Sequence, residues 1–143
     1  MKWSFAVISL ACLLIPRYAT AKGYSDQVKA QLALVKLAGS TADFEETHND
    51  KFDNMRDGEE DSFSFTLRKG MQYKIVSACD EDCSDLDLAM YDDNDEKVSD
   101  DLKDDSLPVV SVTPRRTGKF TLKVKMVSCK SNPCYYGISI LGK

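Results

Sequence analysis

Cysteines and carboxylates are interleaved in one short stretch of the chain, CDEDCSDLDLAMYDD at residues 79–93. Carboxylates in such density suit calcium, because this hard cation takes about six to eight oxygen ligands. The spacing matches no EF-hand, which needs a central glycine and a distant glutamate. The favoured interpretation is a solvated charged rim that blunts sheet edges, and calcium binding is the alternative. The candidate calcium ligands are Asp80, Asp82, Asp85, Asp100 and Asp101, with Asp104 and Asp105 beside them.

Four cysteines follow the apolar N-terminal run, at Cys79, Cys83, Cys129 and Cys134. An even number of cysteines in an exported chain predicts two disulfides. The local pairing, 79 with 83 and 129 with 134, is favoured, while the crossed pairing of 79 with 134 and 83 with 129 stays open. The C-x3-C and C-x4-C spacings differ from those of zinc ribbons and contain no C-x-x-C redox motif.

Hairpin geometry argues for caution about the second local bridge. If the last two predicted strands pair with each other, Val124 and Ile138 share a face only when opposed positions have an even sum. Directly opposed Cys129 and Cys134 would have an odd sum. A bridge between them is therefore expected to need a β-bulge or a diagonal geometry.

Residues 1–21 have the order of a secretory signal peptide, with a basic start, an apolar run over 5–15 and an A-x-A motif at 19–21. The apolar run is about half the length that crosses a bilayer, and Cys12 within it is expected to leave with the signal. The mature chain is therefore predicted to be secreted or periplasmic, without a membrane span.

Residues 22–40 are predicted to hold an N-terminal helix, with helical spacing over 25–38. Ser25 can cap its start and Gly39 can end it. The helix is expected to cover a face of the following domain, and a partner-binding arm is the alternative. The apolar positions are Val28, Leu32 and Val35.

Residues 41–61 are predicted to be an acidic linker, because they are polar and show no clear period. His48, the only histidine of the chain, lies in it.

From residue 62 onward, apolar and polar residues alternate in seven short segments separated by polar turns. This pattern predicts an all-β fold over 62–143, an antiparallel β-sandwich that buries one face of each sheet. The segments are centred on Phe65, Ile75, Leu88, Val98, Val110, Val124 and Ile138.

Alternate loops of an antiparallel sandwich lie at the same end. The loops at 80–82, 100–107 and 130–133 are therefore predicted to share one pole, which gathers both cysteine pairs and two acidic clusters. The turns at 68–70, 92–96 and 114–118 are predicted at the opposite pole.

Charge is unevenly distributed along the chain. Residues 79–105 carry thirteen acids and two lysines, whereas residues 106–143 carry seven basic residues and no acid. The favoured interpretation is that the acidic and basic segments lie side by side in the fold. Nucleic acid is not an expected partner, because the net charge is −4 and the lysines alternate along a strand.

Three motifs occur in order: DSFSFTLRKGMQYKI at 61–75, DLDLAMYDDND at 85–95 and TGKFTLKV at 117–124. Together they make residues 57–142 resemble the bacterial pre-peptidase C-terminal domain, a jelly-roll-like β-sandwich. The resemblance implies an accessory, non-catalytic module, often appended to secreted proteases and sometimes binding calcium or a matrix polymer. In this sequence the module is expected to stand alone behind a helix, and the cysteine pairs are additional to the family's general pattern.

These observations favour an exported, non-catalytic binding module, possible calcium binding included, whose protein or polymer partner is unknown. Its contact surface is expected at the acidic, disulfide-closed pole or on a sheet face, where Tyr135 or Tyr136 could contribute. An inhibitor or chaperone-like partner of a secreted peptidase is the alternative. A small hydrolase using paired carboxylates is the second alternative, with no nucleophile and positioned base evident in the sequence.

Overall fold

The structure, a computed structural model, describes residues 21–38 and 41–143. The predicted signal peptide lies outside the described residues except for Ala21, and so does the predicted helix end at Gly39. The described part of the chain forms α1 (Ala21–Lys36), β1 (Glu45–Glu46), β2 (Lys51–Met55), β3 (Glu60–Leu67), β4 (Tyr73–Cys79), β5 (Cys83–Tyr91), β6 (Lys97–Asp101), β7 (Val109–Val112), β8 (Gly118–Cys129) and β9 (Cys134–Gly142).

The strands form two antiparallel sheets. Sheet A has the order β1-β9-β4-β7, and β2 pairs with the same edge of β9 as β1 does. Sheet B has the order β3-β8-β5-β6. This arrangement confirms the predicted all-β antiparallel sandwich, and β3 to β9 correspond to the predicted strands.

The main core lies between the two sheets. Alternation along β8 sends Leu122 and Val124 into this core, where both are fully buried, and sends Lys123 and Lys125 to the outer face of sheet B. Burial of each such apolar side chain contributes roughly 1.5–3 kcal/mol. The alternation of apolar and polar residues that predicted the sandwich therefore reflects the burial of one face of the strand.

The central strands of sheet A, β4 and β9, are buried on both faces, because α1 lies across their outer side. Leu32 packs there against Val76 and Leu141 in a second apolar cluster. Gly137 leaves room for the ring of Phe52, since a Cβ on this glycine would lie 2.7 Å from a ring carbon. The favoured role of the helix, covering one face of the domain, is confirmed.

The helix begins at Ala21, four residues before the predicted start, so Ser25 lies within the helix and does not cap it. The first turn is held by tertiary contact, because the ring of Tyr24 stacks on that of Tyr135 with 6.2 Å between centroids. Such packing offsets the cost of about 1 kcal/mol that Gly23 brings to a helix.

The prediction that residues 41–61 form a linker without secondary structure is wrong. It contains β1 and β2, which pair with β9 in the registers Glu45↔Gly142 and Lys51↔Ile138, and the first residues of β3. Both strands are short and exposed at a sheet edge, where few residues are buried and no apolar alternation is needed. The pairing partner, far along the chain, decides their conformation.

Both favoured disulfides are present, Cys79–Cys83 and Cys129–Cys134, each with 5.9 Å between Cα atoms. The expected bulge or diagonal geometry for the second bridge is wrong, because β8 and β9 do not pair. They belong to different sheets, and this bridge spans the corner between them. The caution assumed a hairpin that the topology does not contain.

Candidate functional site

The loops at the cysteine-bearing pole meet as predicted. The Lys130 amide donates to the Asp82 carbonyl (2.8 Å), and the Leu86 amide donates to the Asp105 carbonyl (3.0 Å). At the other pole, the Gly70 amide donates to the Pro114 carbonyl (2.9 Å). The predicted gathering of both cysteine pairs and two acidic clusters at one end is confirmed.

Asp80 holds this pole together by accepting hydrogen bonds from backbone amides. Its side chain is buried, and its carboxylate accepts the amide of Tyr135 (2.7 Å) and the amide of Asp82 (3.1 Å). Burial raises the pKa of Asp80, although these amides oppose the rise. One carboxylate oxygen thereby ties the β4–β5 loop to β9, and the other holds the turn of the loop itself.

The other predicted calcium ligands are each held differently. Asp82 lies beside the Tyr24 hydroxyl and raises the pKa of that tyrosine. Asp100 forms an ion pair with Lys97, and Asp101 accepts the amide of Val109 (3.0 Å). Within residues 21–38 and 41–143, no group of three or more acidic, histidine or cysteine side chains is placed to hold a metal ion. Calcium binding stays a prediction.

Asp85 and Asp87 stand on the outer face of sheet B. Each has one carboxylate oxygen that is buried without a hydrogen-bond partner. Burial raises the pKa of both, and the charge of Asp104 adds to the rise at Asp85. Asp87 lies opposite Lys125 in the β5–β8 register, which confirms that the acidic and basic segments lie side by side.

A cleft opens on the side of the sandwich where β2 and β3, edge strands of different sheets, are neighbours. The strands are joined by the turn at 56–59. The opening has a volume of about 430 Å³. This β2–β3 cleft has a floor of Phe63, Phe65, Leu122, Ile138 and Ile140 and a polar rim of His48, Asn49, Lys51, Ser62 and Ser64.

Two basic side chains mark the rim. The Lys51 ammonium lies 3.7 Å from the ring centroid of Phe63. His48 meets the ring of Phe65 edge-on, with 5.8 Å between centroids. One His48 nitrogen lies 2.9 Å from the Thr47 hydroxyl and the other 3.1 Å from the Thr66 carbonyl oxygen. His48 therefore links the β1–β2 connection to β3 across the end of the cleft.

Tyr135 and Tyr136 are consecutive in β9, so their side chains point to opposite faces of the strand. Tyr136 is fully buried, and its hydroxyl donates to Asp61 (3.3 Å). Burial raises the pKa of Tyr136 far above its ordinary value. Tyr135 is half-buried and stacks on Tyr24. Of the two, Tyr135 is the one that solvent reaches at the cysteine-bearing pole.

The larger opening on the molecule, about 640 Å³, lies at the turn pole. Its lining is mainly charged and polar, and Arg116 pairs with Asp93 within it. Sites for small organic ligands are mostly apolar with a few placed polar groups. The smaller β2–β3 cleft has that character, so it is the better candidate.

A scan against protein-family models gives no match, and a search of curated proteins gives none. The resemblance to the pre-peptidase C-terminal domain therefore stays a prediction. No helix in the described part of the chain is long and apolar enough to cross a membrane.

Proposed function

We propose that this protein is an exported, non-catalytic binding module that takes its ligand in the β2–β3 cleft. The observation that carries the proposal is the cleft itself, which combines an apolar floor with a few polar groups at the rim. Its volume of about 430 Å³ lies within the range of roughly 300–1,000 Å³ typical of small-ligand sites. The floor is preformed, because Leu122 and Ile138 belong to the rigid core of the sandwich.

Export is supported by the two disulfides, which form and persist in oxidising compartments. A secreted or periplasmic location is proposed on this ground. The predicted signal peptide would supply the route.

A non-catalytic role is supported by the state of the groups that could form a nucleophile and its base. The cysteines of the sandwich are bonded to one another. Both nitrogens of His48 already have partners in the Thr47 hydroxyl and the Thr66 carbonyl. The Thr47 hydroxyl also lies 3.1 Å from the Ile140 carbonyl oxygen, which can accept its proton in place of the His48 ring. Calcium, if it binds, is proposed as a stabilising ion at the acidic pole and has no part in the cleft.

The cleft can be tested with N-phenyl-1-naphthylamine, a neutral apolar dye that fluoresces when it leaves water. We expect saturable fluorescence with the folded protein. Asn49→Trp places a large ring at the rim and is expected to abolish most of the signal. Ser131→Trp adds the same ring to an exposed loop at the cysteine-bearing pole and is the matched control.

Two outcomes would contradict the proposal. One is the absence of saturable dye binding to the wild-type protein. The other is equal binding by Asn49→Trp and Ser131→Trp, which would place the dye elsewhere on the molecule. Circular dichroism of both variants establishes that each retains the fold.

A further inference from the structure

We infer that the natural ligand of the β2–β3 cleft is an anionic amphiphile, an apolar carbon chain that ends in a single carboxylate and places this head group at Lys51. The inference rests on the proposed function of the cleft and adds the chemical class of the ligand. Three features of the rim support it: a cation without an ion pair, the absence of acids from the lining, and the prior engagement of His48 and Ser64.

Lys51 carries a charge that the described structure leaves without an ion pair. Its side chain is exposed at the mouth of the cleft, over the ring of Phe63. Other cations form ion pairs with carboxylates, namely Lys29, Lys36, Lys97, Arg116, Lys123 and Lys143. An ammonium held over a ring is positioned near the apolar floor while its charge stays available to a ligand.

Among the residues that the structure describes, none that lines the cleft is acidic. The nearby Asp61 accepts the Tyr136 hydroxyl (3.3 Å), and the nearby Asp50 forms an ion pair with Lys36. A carboxylate head group at the mouth therefore meets the Lys51 ammonium without a like charge in the lining. A cationic head group would meet repulsion at the same place.

Two other polar residues of the rim are already engaged. His48 contacts the Thr47 hydroxyl and the Thr66 carbonyl, and the Ser64 hydroxyl lies 3.0 Å from that of Thr121. Asn49 and Ser62 are neutral, so recognition of a charged head group falls to Lys51. The carbon chain is expected to lie along the floor between Phe63 and Ile138, which come from the two facing sheets.

The test compares sodium octanoate with octan-1-ol, which share a chain length and differ in the head group, as competitors of N-phenyl-1-naphthylamine. We expect octanoate to displace the dye from the wild-type protein at about a fivefold lower concentration, the ratio that a favourable exposed ion pair provides. Lys51→Met is expected to remove this preference, and Lys51→Arg to keep it. The preference is also expected to shrink in high salt, because the pair is exposed.

Lys123→Met is the matched control, because Lys123 likewise lies over an aromatic ring, that of Tyr91 at 5.0 Å, but on the outer face of sheet B. It is expected to keep the preference for octanoate. Dye binding that Asn49→Trp blocks, combined with equal competition by octanoate and octanol, would overturn the carboxylate assignment and leave the binding function standing. Failure of the dye and of both competitors to bind would overturn the two together.

Discussion

The two outer faces of the sandwich are stabilised by different kinds of interaction. Sheet A is covered by α1, whose Leu32 completes an apolar cluster with Val76 and Leu141. Sheet B faces solvent and sets carboxylates on β5 beside lysines on β8, as in the pair Asp87 and Lys125. One face is therefore closed by apolar packing and the other by cross-strand charges. Neither kind of interaction covers the side between β2 and β3, where the cleft opens.

The largest expected effect tests the covered face. Leu32 is 1% exposed, so Leu32→Ala is expected to lower the free energy of unfolding by about 2–5 kcal/mol through lost contacts and a cavity. Leu34→Ala, on the same helix but 69% exposed, is expected to change it by less than about 0.5 kcal/mol. Urea unfolding measures both. Equal effects would show that the helix does not close this face.

A smaller effect is expected at Gly137, beneath the helix. A Cβ there would lie 2.7 Å from a ring carbon of Phe52 and 3.1 Å from Val28, so Gly137→Val is expected to cost about 1–3 kcal/mol by overpacking. At Gly118, a Cβ would meet only the Asp93 carboxylate at 3.9 Å. Gly118→Val is the control and should be nearly neutral in the same unfolding measurement. Similar costs at both glycines would argue against close packing here.

The charged face makes a prediction that depends on pH. Burial raises the pKa of Asp87, with Asp85 adding to the rise and Lys125 opposing it. A carboxyl with a raised folded-state pKa binds its proton more tightly when folded, so its stabilising contribution is present below the unfolded value and is lost as pH rises through the folded value. Asp87→Asn is therefore expected to stabilise the protein at pH 7, by less than about 1 kcal/mol given its partial exposure.

The same variant should make no difference near pH 3, where Asp87 is protonated in both states. Unfolding at pH 3, 5 and 7 measures the trend. Asp95→Asn is the control, because Asp95 is exposed in a turn with a φ of 60°, which asparagine also tolerates. A destabilised Asp87→Asn at pH 7 would show that the ionised carboxylate is held favourably.

The smallest expected effect is a change in melting temperature on calcium binding. Asp85, a predicted calcium ligand at the acidic pole, holds a buried carboxylate oxygen without a hydrogen-bond partner, and a cation bound there would raise the melting temperature in millimolar calcium. Asp85→Asn should then reduce this rise while leaving dye binding in the cleft unchanged. Calorimetry in calcium and in EDTA measures the shift. Equal melting temperatures would remove the calcium prediction.

The fold was predictable wherever burial is one-sided. In β8, Leu122 and Val124 alternate with Lys123 and Lys125, and this period specifies a strand with one buried face. β1 and β2 show little such alternation, because they are exposed at a sheet edge and their conformation is set by pairing with β9. The assignment of β8 and β9 to different sheets is likewise a property of the whole topology, which no spacing around Cys129 and Cys134 reveals.

The candidate site was less predictable for the same reason. The acids drew attention by their density, yet Asp80 is occupied by backbone amides. The cleft combines Lys51 and His48 from the predicted linker with Phe63 and Phe65, which alternation marks only as core residues. β2 gives no such signal, because its apolar residues Phe52 and Met55 fall on opposite faces of the strand.

The location of the ligand is the most direct test of the central claim. We expect an amide ¹H–¹⁵N titration with N-phenyl-1-naphthylamine to shift residues 48–51 and 62–65 most strongly, because they surround the β2–β3 cleft. Shifts confined to residues 80–82 and 100–107 would place binding at the cysteine-bearing pole and contradict the account.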